Sequence, residues 1–390
     1  MRMVRVKNIQ DGMQLARDIP GGTPDGAPIL RQGFSLTTRL VPRLLQMNVR
    51  AVWVDDAMSE GIAPLDPLTE SIRASAQRTS SDCLKAARDA LQTNAKLDRV
   101  MLKRVEDVVA GMAMVLQGCP PAMCALDDLS GADSYTHTHS VRVATLGIML
   151  ADHIMRTDGW VDWEGKRRWD RIEERLVEIG TGLLLHDIGK IAIPSEILNK
   201  PGKLTADEFD LIKTHPSAGI ALLEGVDLSP LSLAVIRDHH ERWDGGGYPA
   251  GKSAAELHLF PRIAATADTF DAVTADRPYK PATAPYVGVK VIQDGANTNF
   301  DPQITKRFSE VVMPYPLGYT LYLPGGQDAV VADVDNKRPT WPLLRYRDET
   351  GKLVENRLHV EDGVVQTASI GNAPNVEANA VPVIAEAALI

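Results

Sequence analysis

Cysteine is scarce in this chain: Cys83, Cys119 and Cys124 are the three among 390 residues. Three scattered thiols exclude a disulfide framework and suit a reducing compartment. Cys119-Pro-Pro-Ala-Met-Cys124 could form a redox pair, but incidental loop or core thiols are the better reading. Long apolar runs are missing too. No stretch reaches about 18 apolar residues, so no membrane span is expected. The N-terminal MRMVRVKNIQDGMQ lacks the apolar centre of a signal peptide, and a cytoplasmic protein is expected. There is no excess of positive charge: 42 Lys and Arg against 51 Asp and Glu leave −9. That argues against DNA or RNA as the main partner. A small anion stays admissible, because a metal site can supply local positive charge. What remains, 44% hydrophobic and 24% charged residues, is the composition of a soluble globular protein. The length suggests two or three domains.

Composition shifts divide the chain. Residues 1–62 read as a small β-rich module: MVRVKNI and VRAVWVDD have strand-like β-branched content, PGGTPDGAP is a turn cluster, and LTTRLVPRLLQMN can form a short helix capped by Thr37 or Thr38. Residues 63–124 read as a helical linker. Within it, 68–117 space apolar residues by three and four, which suits packing on the next domain or, alternatively, a homodimer. Residues 125–313 form the main helical body, with helices expected over 136–156, 171–187, 205–213, 216–224, 229–240, 260–275 and 283–296. An excursion over 155–175 holds Trp160, Trp163 and Trp169 among charges and glycines, and reads as a surface feature or lid. Residues 314–371 return to short strands and turns, and 372–390 read as a loosely held tail.

Histidine placement is the most informative feature. His139 lies early in a predicted helix; His186 and Asp187 end LLLHD; His215 precedes a helix-starting proline; His239 and His240 end another helix; Asp268 lies within ADTFDAV. A lone histidine on an apolar face is usually a satisfied structural residue. Five histidines and two aspartates at the ends of helices that should pack together are different. Imidazole mixed with carboxylate suits Fe, Mn, Zn or Ni, and a carboxylate can bridge two ions. His153, His258 and His359 have no such company and read as structural.

In order and spacing, HS, LLHDIGK, HP, HHERWDGGGYP and ADTFDAVTADRPYK, with the intervening IPSEILNKPGKLTADEF, resemble the HD-GYP family of cyclic di-GMP phosphodiesterases, within the HD phosphohydrolases. The resemblance covers about 125–313, and more weakly the N-terminal module and the C-terminal extension. It implies a mainly α fold, with an all-helical HD-type domain flanked by a small N-terminal β-rich module and a C-terminal β extension. It implies two divalent transition-metal ions, iron or manganese foremost, that activate water to open cyclic di-GMP to pGpG. His139, His186, Asp187 and Asp268 would hold one ion; His215, His239 and His240 would hold the other, with Asp187 as the bridge. Asp187 and Lys190 would be catalytic, Lys190 reaching a phosphate oxygen or the leaving group. Gly246, Gly247, Tyr248, Arg277 and Lys280 would line the substrate, the glycines by letting backbone amides approach it.

The chain departs from the family in three places. A glutamate that holds a third ion in some members is replaced by Tyr135, so a two-ion site and pGpG as product are expected. The segment between His139 and His186 is longer than usual, and Gly246 stands where a small polar residue is common. The competing readings are a non-catalytic cyclic di-GMP receptor, a phosphohydrolase for another nucleotide, and an interaction scaffold. Retention of all seven donors argues against the first and the last.

Overall fold

The computed structural model describes residues 1–21, 27–47, 49–64, 66–93, 95–117, 119, 135–162, 164–200, 202–275 and 283–366. At the start of the chain, β1 (Arg2–Arg5) and β2 (Gln14–Leu15) flank β3 (Ala51–Asp55) in an antiparallel sheet, with Val4 opposite Val52 and Leu15 opposite Val54. These four side chains pack with Leu36 and with Leu44 of the short helix α1 (Val41–Gln46). Strand content here is smaller than expected, because β2 is only two residues long and most of the described residues of 1–62 lie outside strands. The chain enters α1 through a 3-10 turn, Thr38–Leu40, and Thr37 makes no side-chain cap.

The helical body begins earlier than residue 125. Helices α2 (Glu70–Thr93) and α3 (Arg99–Leu116) bury Ala76, Cys83, Ala87, Val105, Val109 and Met112 in the same core as the helices that follow. They are part of the bundle, and the apolar stripe that suggested a second copy is covered within the chain. Next come α4 (Tyr135–Asp158), the ribbon β4 (Trp160–Val161) with β5 (Arg167–Arg168), and α5 (Ile172–Leu185). After these the chain forms α6 (Ser195–Leu198), α7 (Ala206–Ile212), α8 (His215–Leu222), α9 (Pro230–Asp238), α10 (Leu259–Thr274), α11 (Pro285–Asp294) and α12 (Pro302–Val311). Helix α5 packs between α4 and α9, and α10 lies against α4.

The β4–β5 ribbon departs from an all-helical domain. Its tryptophans divide: Trp169 is exposed, whereas Trp160 is buried, donates from Nε1 to the Asp170 carbonyl (2.9 Å) and lies under Arg175. The excursion is thus anchored to α5, and Trp163 lies outside the described residues.

A six-stranded sheet follows, in the order β10-β11-β6-β7-β8-β9, built from β6 (Thr320–Tyr322), β7 (Asp328–Asp333), β8 (Leu343–Arg347), β9 (Leu353–Arg357), β10 (His359–Glu361) and β11 (Val364–Gln366). It docks on the N-terminal module: Met3 donates its amide to the Gly318 carbonyl (2.8 Å), and Thr320 donates its hydroxyl to the Met3 carbonyl (2.6 Å). Cys124 and the expected tail lie outside the described residues. Among the described residues, no helix is long and apolar enough to cross a membrane.

Candidate metal centre

The five histidines and two aspartates singled out in the sequence converge where α4, α5, α8, α9 and α10 meet. His139 comes from α4 and Asp268 from α10; His215 opens α8; His239 and His240 follow the last turn of α9. Helix α5 ends at Leu185, so His186 and Asp187 sit at its exit, where the backbone turns into a 3-10 segment, Ile188–Ala192. Two buried groups result, one of His139, His186 and Asp187, the other of Asp187, His215, His239 and His240, with donor atoms within 4.8 Å of one another in each. Asp268 joins the first group, its Oδ1 lying 3.2 Å from His139 Nε2.

Asp187 belongs to both groups through different oxygens. Its Oδ2 lies 3.4 Å from His186 Nε2 and 3.7 Å from His139 Nε2, and its Oδ1 lies 3.4 Å from His215 Nε2 and 3.9 Å from His239 Nε2. The backbone sets the tautomers. His186, His215 and His239 donate Nδ1–H to the carbonyls of Leu183 (2.7 Å), Ile212 (2.8 Å) and Ile236 (3.0 Å). A carbonyl only accepts, so the proton sits on Nδ1 and the Nε2 lone pair faces the centre.

Burial pushes His215 down to about 4 and His239 to about 3, and holds His240 well below the usual imidazole range, so all three are neutral at pH 7 and able to ligate. His139 differs. Burial lowers it, but hydrogen bonds to Asp268 and Asp271 outweigh burial and lift it to about 9. Burial opposes ionisation of Asp187 and Asp268 as well. Lys190 and His186 nevertheless hold Asp187, and His139 holds Asp268, well below the usual carboxylate range. The negative charge that would keep a proton on His139 Nε2 is the charge that would hold a cation there.

These residues fit a metal. Two ligands each about 2.1 Å from an ion, at roughly 90–110°, lie about 3.0–3.4 Å apart. The 3.2 Å of His139–Asp268, the 3.4 Å of His186–Asp187 and of His215–Asp187, and the 3.2 Å of His215–His239 agree. His186 Nε2 and Asp187 Oδ1 are buried without a hydrogen-bond partner among the described residues, a costly state that coordination would relieve.

Lys190 donates from Nζ to Asp187 Oδ2 at 2.8 Å while keeping a quarter of its side chain exposed. The glycine before it has a steric reason. A Cβ on Gly189 would lie 1.9 Å from the His215 carbonyl oxygen, so only glycine lets the Lys190 turn rest on α8.

The Gly-Tyr-Pro loop corrects an expectation. The amides of Gly245, Gly246 and Tyr248 donate to the Arg242 carbonyl, Asp244 Oδ1 and the His240 carbonyl, so these N–H groups are not free for an anion. Gly247 is needed for close packing, because a Cβ there would lie 2.4 Å from Arg242 N and 2.5 Å from the His240 carbonyl. The loop instead presents the Tyr248 ring, stacked 4.7 Å from His240, with its buried hydroxyl unpartnered among the described residues. Arg277 and Lys280 lie outside the described residues.

Sequence reasoning passed over three carboxylates that support the site. Asp271, one turn after Asp268, accepts from His139 Nδ1–H at 2.7 Å and from Arg142 Nε at 2.6 Å. Glu241 accepts from the amides of Ala250 (2.7 Å) and Lys252 (3.0 Å), and Asp238 accepts from Lys252 Nζ at 2.7 Å, which closes the Gly-Tyr-Pro loop on itself. The i,i+3 spacing of Asp268 and Asp271 was the available signal for the first. Three further histidines are structural: His153 pairs with Glu310 at 2.7 Å, His258 caps α10 by accepting from the Phe260 amide, and His359 stacks on Trp341.

A family profile described as HD domain matches residues 170–304. A cyclic di-GMP phosphodiesterase of Pseudomonas aeruginosa is 33% identical over 339 residues, covering 81% of this chain and 78% of the relative. One of Thermotoga maritima is 34% identical over 178 residues, 45% of this chain and 44% of the relative. A 3'3'-cGAMP-specific phosphodiesterase of Vibrio cholerae is 32% identical over 194 residues, 50% of this chain and 39% of the relative. Likeness to the Pseudomonas protein extends beyond the HD-domain match, over the helices that carry every donor described above, and the chain belongs to the HD-GYP family of phosphodiesterases.

Proposed function

We propose that this protein opens cyclic di-GMP to linear pGpG with two divalent transition-metal ions, iron or manganese. His139, His186, Asp187 and Asp268 hold one ion; His215, His239, His240 and Asp187 hold the other. The observation that carries the reading is the divided carboxylate of Asp187, with one oxygen facing each donor group. Bound there, the ions supply charge neutralisation at phosphorus and a water acidified to near neutrality. The residues do the rest. Nδ1–H bonds to the backbone keep three imidazoles pointed inward. Lys190 neutralises Asp187 and, being partly exposed, can turn its ammonium to a phosphoryl or leaving oxygen. Tyr248 offers a hydroxyl that burial keeps protonated, with its value pushed far above the ordinary phenol range. Arg277 and Lys280 supply further phosphate contacts, and Gly246 and Gly247 shape the loop that presents Tyr248. Tyr135, in place of a third-ion glutamate, favours pGpG over GMP as the end product.

The relatives named for cyclic di-GMP support the substrate, and the one named for 3'3'-cGAMP makes that dinucleotide the competitor to assay beside it. A cytoplasmic location belongs to this reading and suits a chain with as few as three cysteines. A homodimer through 68–117 would use the outer face, where Leu91, Val100 and Met114 are exposed. The test is anaerobic purification, metal analysis and chromatography of products, with Asp187→Ala alongside. About two ions per chain, pGpG formation, and loss of roughly 10³-fold or more in kcat in the variant are expected. A metal-loaded wild type that binds cyclic di-GMP without cleaving it overturns the enzyme reading.

A further inference from the structure

His139 is held differently from three other histidines of the centre. His186, His215 and His239 each lean on a neutral backbone carbonyl, whereas His139 Nδ1 meets a buried carboxylate, Asp271 Oδ2, at 2.7 Å. Asp271 is gripped in turn. Arg142 Nε donates to its Oδ1 at 2.6 Å and Arg142 Nη2 to its Oδ2 at 3.3 Å. The geometry is locked by helix spacing. His139 and Arg142 lie three residues apart on α4, and Asp268 and Asp271 three apart on α10, so each helix presents one residue to the centre and one behind it. His139 sits between the two aspartates, with Nε2 3.2 Å from Asp268 and Nδ1 against Asp271.

An anionic acceptor behind an imidazole makes its far nitrogen a stronger donor to a metal than a carbonyl does. Arg142 keeps Asp271 ionised and occupies the side facing away from the ring, so the carboxylate can neither rotate into the centre as a ligand nor take the Nδ1 proton for itself. Among the described residues, the second donor group shows no comparable carboxylate behind its rings. Its three imidazoles crowd one another, with His215 Nε2 3.2 Å from His239 Nε2, and Asp187 is its single carboxylate.

We propose that Asp271, fixed by Arg142, is a positioning residue that sets the tautomer and donor strength of His139, so that the His139 group binds its ion more tightly than the His215–His239–His240 group and fills first. The inference rests on the two-ion reading above. Asn at 271 is a sharp probe. It matches Asp in size, loses the charge, and can turn its NH2 toward Nδ1, which would move the ring proton to Nε2 and block ligation.

The experiment titrates metal-free full-length protein with Co2+, following visible absorption and calorimetric heat, for wild type, D271N and the neutral pair D271N/R142Q. The wild type should fill in two steps. In D271N the tighter step should weaken by about 10–100-fold while the weaker step stays within roughly threefold. D271N removes the charged partner of the half-buried Arg142; if it fails to fold, the double variant, which removes both charges of that pair, is read in its place. Apo melting temperature is followed throughout, since a merely structural role would lower it and weaken both steps together. Wild-type affinity at both steps, or equal loss at both, overturns the proposal. A wild type that takes up a single ion defeats the two-ion reading; D271N must then loosen that ion, and unchanged affinity overturns the role of Asp271 as well.

Discussion

His215 and His239 have values near 4 and near 3 because burial strips water from the charged ring. A histidine in the unfolded chain titrates near 6.5. Between pH 6.5 and 4 the unfolded chain therefore takes up protons that these rings refuse in the fold, and stability falls as pH falls. His139, lifted to about 9, has the opposite sign: its contribution is full below about 6.5 and is lost as pH rises through 9. Asp187, Asp268 and Asp271 are held below 3.8 and change at lower pH; in the window from 6.5 to 4 the buried rings act, with His240 and with His258, lowered to about 4, among them, while Glu178, raised by burial, acts with the opposite sign. Urea unfolding in the presence of a chelator should show this acid limb. His215→Gln should make it shallower, by up to about 1.4 kcal/mol per pH unit. An unchanged slope would show that His215 is solvated in the metal-free protein.

At the scale of elements, the loop after His240 is held by two buried carboxylates, Asp238 on the Lys252 side chain and Glu241 on the backbone. Both oxygens of Glu241 accept amides, those of Ala250 and Lys252, and the loop between them carries Tyr248 against His240. Gln at 241 can accept only one of the two and turns an NH2 toward the other, a loss of roughly 1–3 kcal/mol. Glu241→Gln should speed amide exchange across 245–252 while α4 and α10 keep wild-type protection; equal rates in the loop would remove Glu241 from this role. The elements themselves were largely legible from sequence. The helix expected over 260–275 is Leu259–Thr274, and the one expected over 229–240 is Pro230–Asp238, because apolar spacing and caps such as Ser229 are local signals. Helix α12 carried the same kind of signal, Asp301 capping the Gln303 amide with Pro302 behind it, and was passed over. The metal donors were legible because each sits in a short motif, six of them at or near a helix end and Asp268 within α10. What stayed hidden is tertiary. Nothing local says that Gly189 must clear the His215 carbonyl, that the loop amides are already bonded, or that Trp160 is pinned under Arg175.

At the scale of the whole molecule, the two ends of the described chain are stitched together, and the helical bundle hangs from the seam. Arg2, almost fully buried, donates to Asp56 at 2.8 Å and to Asp328 at 2.9 Å, joining the first strand to the turn after β3 and to β7. Met58, Ile62 and Val330 form a small apolar cluster beside it, and Arg345 donates to the Met58 carbonyl across the same seam. From that point the chain runs through Leu68, already part of the helical core, into α2. Helix α2 in turn lies on the turn that carries Lys190, with Ser80, Cys83 and Leu84 lining a cavity shared with Asp187 and Ile188. The β assembly and the metal centre are therefore linked through α2, which follows the seam in the chain and packs beside the Lys190 turn. A buried arginine between two carboxylates is worth more as a junction than as a source of net stability, since its desolvation offsets much of the attraction. The consequence is coupling. Arg2→Ala and Asp328→Ala should each lower stability, and the double variant should show a coupling of about 1–3 kcal/mol rather than simple addition. Calorimetry of Arg2→Ala should also split unfolding, with the β assembly melting first and the helical bundle near its wild-type temperature. Additive single effects, with one unbroken transition, would mean that the helices hold the two ends in place and that Arg2 only decorates the seam.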